Sequence, residues 1–249
     1  MSSYVVLGAS RGIGVKQERD NKVFAVVRTP ESAAQLHSLA STRSNVFTVK
    51  GDLDSADSLK ASMTAAAATE VAGHTSGKLD VLILNGARIT SQYSGMTLDK
   101  FPDPQSLEED LMAGFRCNTV GVAHAINAFL PLLRAGAKKH ILAISTAAGD
   151  IDFVREIGMG ANVAYAASKA ALNMVATQFS IALKPEGFTV LSISPGYVNT
   201  FTEDPSCPDF DGNPRTPAVA VSMMLDVLNR SGPGQSGSFV SQYGNKEWV

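Results

Sequence analysis

The chain has 249 residues and a formal net charge of −2, and its 21 basic and 23 acidic side chains are mixed along the sequence without a basic block. This charge pattern argues against nucleic acid or an anionic membrane surface as a partner. The length is typical of a single α/β domain, which we expect to cover residues 1–249.

The cysteines and histidines predict neither a disulfide framework nor a metal site. Cys117 and Cys207 are far apart without a C-x-x-C pattern, and the four histidines show no ligand spacing. The chain passes directly from its N-terminus into a strand-like run, with no basic leader and no apolar segment long enough to span a bilayer. We therefore expect a cytoplasmic protein that holds no metal.

Short apolar runs rich in β-formers alternate with helical patterns along the chain. The predicted strands cover residues 4–7, 23–27, 46–50, 81–84, 140–144, 189–193 and 238–240. The predicted helices cover residues 30–39, 55–72, 106–134, 163–183 and 217–230. This alternation predicts an α/β fold with a doubly wound, mostly seven-stranded parallel Rossmann-type sheet and helices on both faces. In such a sheet, ligands bind at the carboxyl ends of the strands.

A glycine-rich loop, Gly8-Ala9-Ser10-Arg11-Gly12-Ile13-Gly14, follows the first strand directly. Glycines allow the backbone to approach a pyrophosphate closely, and the N-terminus of a following helix attracts the anion. In isolation such a loop is an ordinary turn. Its position after the first strand of an alternating chain favours dinucleotide binding.

Tyr165 and Lys169 are four residues apart in a stretch rich in helix formers, so a helix places the phenol and the ammonium on one face. A nearby cation favours the phenolate and lowers the tyrosine pKa from its ordinary value of about 10. A tyrosine so adjusted exchanges a proton with a carbonyl or alcohol oxygen. Alone, the pair is more often an aromatic residue at the core edge and a solvated amine.

Several motifs occur in an order and spacing that resemble the short-chain dehydrogenase/reductase family, over essentially the whole chain. The resemblance is greatest to its single-domain NADPH-dependent carbonyl reductases, which share the Gly-x-Phe-Val strand and the Tyr-Gly-Asn-Lys-x-x-Trp tail. The motifs are Gly8-x-x-x-Gly12-x-Gly14, Asn85-Gly86-Ala87, Asn118, Ser145-Thr146, Tyr165-x-x-x-Lys169 and Pro195-Gly196-Tyr197-Val198-Asn199-Thr200.

The resemblance implies catalytic roles for five residues. Tyr165 is the expected general acid for carbonyl reduction, and Lys169 holds the nicotinamide ribose and lowers the tyrosine pKa. The family's serine matches Thr146, which keeps a hydroxyl donor for the substrate oxygen, and Ser145 stands one position earlier. Because successive strand residues face opposite sides, we expect one of these two hydroxyls to face the site. Asn118 is expected to support a water chain behind the lysine.

The sequence favours NADP(H) over NAD(H) as the cofactor. Arg28 stands at the end of the second strand, where NAD enzymes usually carry an acid, and Arg11 adds a second guanidinium that binds a 2′-phosphate. The expected cofactor-binding residues are Gly8, Ser10, Arg11, Gly12, Ile13, Gly14, Arg28, Asp52, Leu53, Asn85, Gly86, Lys169, Pro195, Gly196, Val198 and Thr200.

The chain departs from the family pattern after the glycine loop. Only residues 15–22 separate Gly14 from the second strand, whereas relatives carry about two further helical turns there. Eight residues span about 12 Å as a helix, and this segment offers little apolar surface to cover the sheet. We expect a shortened first helix, and with it lower stability or weaker cofactor binding.

The substrate is expected to be a small, hydrophobic ketone or aldehyde. Specificity should come from loops 93–104, 149–162 and 201–217, with an apolar wall or a packed lid formed by Phe153, Ile157, Met159, Tyr197, Phe201 and Phe210. The alternative is a cofactor-binding sensor or a non-redox protein on the same scaffold. The resemblance also implies a homodimer or homotetramer, formed through the helix that carries Tyr165 and the long helix from Ser106.

Overall fold

The computed structural model describes residues 1–9, 21–53, 58–198 and 215–248. Seven strands in this part of the chain form one all-parallel sheet in the order β3-β2-β1-β4-β5-β6-β7. The strands are β1 (Ser3–Leu7), β2 (Lys22–Val27), β3 (Val46–Lys50), β4 (Val81–Leu84), β5 (His140–Ile144), β6 (Thr189–Ser194) and β7 (Phe239–Ser241). The predicted doubly wound α/β fold is confirmed.

Helices cover both faces of this sheet. They are α1 (Ala34–Thr42), α2 (Ser58–Thr75), α3 (Pro104–Phe115), α4 (Gly121–Ala135), α5 (Ile151–Glu156), α6 (Val163–Leu183) and α7 (Pro217–Arg230). Alternate residues of β1 enter two separate cores, because successive side chains of a strand point to opposite faces. Val5 and Leu7 pack with α2, α4 and α6, whereas Tyr4 and Val6 pack with α1 and α7.

The predicted single helix 106–134 is wrong. The structure has α3 and α4 joined by one π-helical turn, Arg116–Val120, in which Asn118 and Thr119 are buried. Gly121 follows this turn and passes so close to the main chain of Leu53 that a Cβ there would overlap the Leu53 carbonyl oxygen. Tertiary contacts therefore set the local winding, and π turns of this kind occur frequently at functional sites.

Two smaller differences concern helix limits. The predicted loop 149–162 contains α5, a short helix that Asp150 caps by accepting hydrogen bonds from the main-chain N–H groups of Asp152 and Phe153. The predicted helix 30–39 is a 3-10 turn, Pro30–Ser32, followed by α1. The shortened first helix and the glycine-loop residues Ser10, Arg11, Gly12, Ile13 and Gly14 lie outside the described residues, as do Asn199 and Thr200.

The strand order places a crevice at the carboxyl edge between β1 and β4. From β1 the chain proceeds to β2 and β3 on one side, and it returns to the other side of β1 with β4. Such a switch point is where open α/β sheets bind ligands. The segments that follow β1, β4, β5 and β6 all meet at this edge.

Candidate active site

Tyr165 and Lys169 lie one turn apart near the start of α6, as the sequence predicts. Lys169 is 2% exposed, and its ammonium donates a hydrogen bond of 2.7 Å to the main-chain oxygen of Ile144, the last residue of β5. The Lys169 Nζ atom lies 5.9 Å from the centre of the Tyr165 ring. Helix α6 thus brings phenol and ammonium together beside the end of β5.

Burial dominates the electrostatics of this pair. It raises the pKa of Tyr165 to about 12, while a hydrogen bond with the Thr146 side chain acts in the opposite direction. Burial also lowers the pKa of Lys169 to about 8. The predicted lowering of the tyrosine pKa by Lys169 is not what this structure gives, because loss of solvent outweighs favourable interactions around the phenol.

The structure distinguishes the two hydroxyl groups that follow β5. Thr146 is half-buried and its side chain reaches the Tyr165 hydroxyl. Its position is fixed because its Oγ1 accepts a hydrogen bond of 3.3 Å from the main-chain N–H of Ala148. The Ser145 hydroxyl is fully buried and has no hydrogen-bond partner among the described residues. As expected from strand geometry, one hydroxyl of the pair faces Tyr165, and it belongs to Thr146.

Asn118 connects two segments of the chain, and the water chain expected behind Lys169 stays a prediction. Its Oδ1 accepts a hydrogen bond of 2.7 Å from the Arg88 N–H, and its Nδ2 donates to the Arg88 oxygen at 2.9 Å. The same Nδ2 donates to the Ser168 hydroxyl at 2.9 Å, and that hydroxyl donates to the main-chain oxygen of Tyr165 at 2.8 Å. The amide therefore joins the segment after β4 to the helix that carries Tyr165.

Sequence reasoning gave no role to Arg88 or Ser168. Ser168 precedes Lys169 and, as a polar residue in a run of alanines, carries a weak signal of its own. Asp110, which pairs with Arg88, lies on the same face of α3 as the buried Gly114. A charged residue on the buried stripe of a helix is a signal that could have drawn attention to it.

The crevice between β1 and β4 has the close backbone packing that a dinucleotide site needs. Gly8 has a φ of +80°, and a Cβ there would overlap the Gly86 main chain. The Asn85 amide fixes this approach by donating a hydrogen bond of 2.8 Å to the Gly8 oxygen. The two main chains thus pack directly against each other, and no side chain of Gly8 or Gly86 stands in the way of a ligand at this edge, so the residues present fit a dinucleotide.

The other predicted cofactor residues lie along the same edge. Arg28 directly follows β2 and is exposed, and Asp52 is half-buried after β3. Leu53 is buried against the Gly86 backbone, so its side chain belongs to the core. The remaining described positions follow β6, and they are Pro195, Gly196 and Val198.

Four of the six apolar residues expected to form a substrate wall or a packed lid lie in the described part of the chain. Ile157 and Tyr197 are 43% and 41% exposed, whereas Phe153 and Met159 are half-buried. Phe201 and Phe210 lie outside the described residues.

The described residues include no group of three or more His, Cys, Asp or Glu side chains that could hold a metal ion. Within the same residues, no helix is both long enough and apolar enough to cross a membrane.

Residues 3–209 match the family model described as short chain dehydrogenase. The chain belongs to the short-chain dehydrogenase/reductase family. It is 33% identical over 278 residues to the short-chain dehydrogenase/reductase atnB of Arthrinium sp, with all of both chains covered. It is 34% identical over 273 residues to AacuF of Aspergillus aculeatus, again over both full lengths. Because these alignments are longer than 249 residues, both relatives carry residues that this short-chain dehydrogenase/reductase lacks.

A solved relative agrees with this assignment. The NADPH-bound carbonyl reductase from chicken fatty liver superimposes with a TM-score of 0.83 at 27% identity, covering 98% of this chain and 93% of that chain. The carbonyl reductase Sniffer of D. melanogaster shares the fold, with a TM-score of 0.82 at 23% identity and 98% of each chain covered. This short-chain dehydrogenase/reductase is thus an NAD(P)-dependent oxidoreductase of the carbonyl reductase type.

Proposed function

We propose that the chain reduces a ketone or aldehyde to an alcohol with NADPH, and that Tyr165 donates the proton. The observation that carries this proposal is the contact between the Thr146 and Tyr165 side chains beside the buried Lys169. The two hydroxyl groups are neighbours, as a carbonyl oxygen requires for binding and protonation.

The protonation states suit reduction. With a pKa of about 12, the Tyr165 phenol keeps its proton at neutral pH and can give it to an oxygen that gains negative charge. Thr146 donates a hydrogen bond to the same oxygen and holds the carbonyl group against the phenol. NADPH, when bound, supplies the hydride that the carbonyl carbon receives.

Lys169 would hold the cofactor ribose while it contacts the end of β5. One of its three N–H donors is used by Ile144, which leaves donors for a hydroxyl group. The close pair Gly8 and Gly86 would hold the dinucleotide backbone. The exposed Arg28 would bind the 2′-phosphate and so favour NADP(H) over NAD(H). The NADPH-bound chicken relative supports NADP(H) as a cofactor.

The test follows the loss of NADPH absorbance with a panel of aromatic and aliphatic ketones. We expect Tyr165→Phe to lower kcat by about 100-fold or more, because general acid catalysis contributes roughly that factor. NADPH affinity should be retained in this variant. Tyr4→Phe is the matched control, since Tyr4 is buried in β1 on the face of the sheet covered by α1 and α7.

Each outcome decides between the two functions. Turnover that depends on Tyr165 supports the reductase. A wild-type chain that binds NADPH tightly and turns over none of the ketones refutes it, and the cofactor-binding alternative then takes its place.

A further inference from the structure

Arg88 and Asp110 form an ion pair next to the site. Arg88 stands two residues after Gly86 in the segment that follows β4, and Asp110 lies on α3. Arg88 Nη1 lies 2.9 Å from Asp110 Oδ1, and the carboxylate is 5% exposed. A buried carboxylate is costly without a cation, so Asp110 holds the Arg88 side chain firmly against α3.

The main chain of Arg88 is held as firmly as its side chain. Both its N–H and its carbonyl oxygen bind the amide of Asn118, which is fully buried. The same amide donates a hydrogen bond to the Ser168 hydroxyl, which donates to the main-chain oxygen of Tyr165. A continuous series of hydrogen bonds thus runs from the Asp110 carboxylate to the main chain of Tyr165.

Helices α3 and α6 close this series into a ring. Gly114, one turn after Asp110, lies so near α6 that a Cβ would stand 2.8 Å from the Ala164 oxygen. Asp110 is therefore fixed relative to the start of α6 by direct helix contact, and again through Arg88, Asn118 and Ser168. Two independent connections between the same elements restrict the position of Tyr165 more than either does alone.

We propose that Arg88, anchored by Asp110, is a positioning residue that sets the place of the Tyr165 hydroxyl relative to Thr146. This inference rests on the proposed reductase function. Arg88 acts through Asn118 and Ser168, and it contacts neither of the two hydroxyl groups. Misplacement of a reacting group by about 1 Å costs roughly 100-fold in rate, so small changes in this ring should affect kcat.

The experiment must separate positioning from stability. Arg88→Met alone leaves Asp110 buried without its cation, and the loss of stability would obscure the result. The informative variant is therefore Arg88→Met/Asp110→Leu, since well-packed apolar residues often replace a buried ion pair without loss of stability. Arg88→Lys keeps the positive charge but not the planar guanidinium group, and it should retain more activity than the double variant.

The matched control is Arg134→Met. Arg134 pairs with Glu186 at 2.7 Å near the amino ends of β5 and β6, away from the site. We expect this control to keep the wild-type kcat.

In the double variant we expect a melting temperature within about 3 °C of wild type. We expect kcat to fall about 10-fold or more, with the NADPH dissociation constant changed less than about 3-fold. Hydrogen exchange should become faster in peptides covering residues 85–90 and 163–169 and stay unchanged elsewhere.

A double variant whose kcat, melting temperature and hydrogen exchange all equal those of wild type would overturn the proposal and leave the ion pair a purely structural role. If wild type turns over no ketone, the reductase function fails separately, and hydrogen exchange still decides whether Arg88 orders the start of α6.

Discussion

Lys169 and Ile144 are joined by a hydrogen bond of 2.7 Å in which a fully buried ammonium donates to the last carbonyl group of β5. The contact links α6 to the strand end that Ser145 and Thr146 follow. The position of the lysine therefore affects both the tyrosine on its own helix and the hydroxyl group after β5. This contact lowers the stability of the folded chain, because it requires a positive charge to be buried.

The first prediction concerns this charge and pH. The Lys169 pKa is about 8 in the folded chain against 10.5 as the ordinary value, so the unfolded state binds the proton more tightly. Stability should consequently rise as pH increases through the window from about 8 to 10.5, because the folded chain then no longer buries an ammonium. Lys169→Met lacks this gain, and its stability relative to wild type should be highest below pH 8.

The measurement is chemical denaturation of wild type and of Lys169→Met at about pH 7 and about pH 10. A pKa difference of about two units changes the free energy of unfolding by a few kcal/mol at most. Ionisation of Tyr165 contributes to the stability of both wild type and Lys169→Met, so it cancels in the difference between them. Lys184→Met, at an exposed position, is the control. A difference between Lys169→Met and wild type that does not change with pH would contradict the burial of a charged lysine.

The second prediction separates the two hydroxyl groups after β5. Thr146→Ala should lower kcat by roughly 10- to 100-fold, because removal of one preorganised donor to a developing oxyanion costs a few kcal/mol. Ser145→Ala should leave kcat close to wild type, since the Ser145 hydroxyl is buried and bonds to none of the residues that the structure describes. Thr146→Ser keeps the donor and should be active. Steady-state kinetics of the three variants on one ketone tests this, and an active Thr146→Ala with an inactive Ser145→Ala reverses the assignment.

The third prediction tests cofactor choice. Arg28 is exposed directly after β2. Arg28→Ala should raise the NADPH dissociation constant about 10-fold or more, because a charge-assisted hydrogen bond to phosphate is worth roughly 1.5–3 kcal/mol. NADH binding should change little, since that cofactor has no 2′-phosphate. Fluorescence titration with both cofactors measures the ratio, and equal weakening of both would show that Arg28 does not recognise the phosphate.

The fourth prediction concerns the segment between Gly14 and β2. Insertion of two turns of apolar helix after Val15 should raise both the melting temperature and the NADPH affinity, because residues 15–22 provide little apolar surface. An insert of equal length made only of Gly and Ser is the control. No gain in either quantity over that control would refute the expected deficit.

The sequence predicted the strands well because most of them are buried runs of apolar residues, and their observed limits differ from the predicted ones by at most one residue at either end. Helix interruptions were not predictable in the same way. The π turn at Asn118 depends on hydrogen bonds with Arg88 and Ser168, which are 30 and 50 residues away. The Arg88 and Asp110 pair likewise depends on the approach of two elements. Motif spacing located the phenol, the ammonium and the threonine because these belong to short local patterns, whereas the groups that position them are set by tertiary structure.

The fifth prediction compares two glycines in helices. A Cβ on Gly121 would overlap the Leu53 oxygen, whereas a Cβ on Gly73, within α2, would meet nothing within 4 Å. Gly73→Ala should therefore stabilise the chain by about 0.5–1 kcal/mol, the ordinary advantage of alanine in a helix. Gly121→Ala gains the same helix propensity, but it should still destabilise the chain by roughly 1–3 kcal/mol because it overpacks the backbone.

Displacement of Leu53 should also weaken NADPH binding, since Leu53 packs against Gly86 at the edge of the crevice. Thermal melts and NADPH titrations of the two variants test this, and the result to look for is a loss of affinity in Gly121→Ala only. If Gly121→Ala is as stable as Gly73→Ala, then the close approach at Leu53 does not constrain the turn between α3 and α4, and the winding at Asn118 must be held by its hydrogen bonds alone.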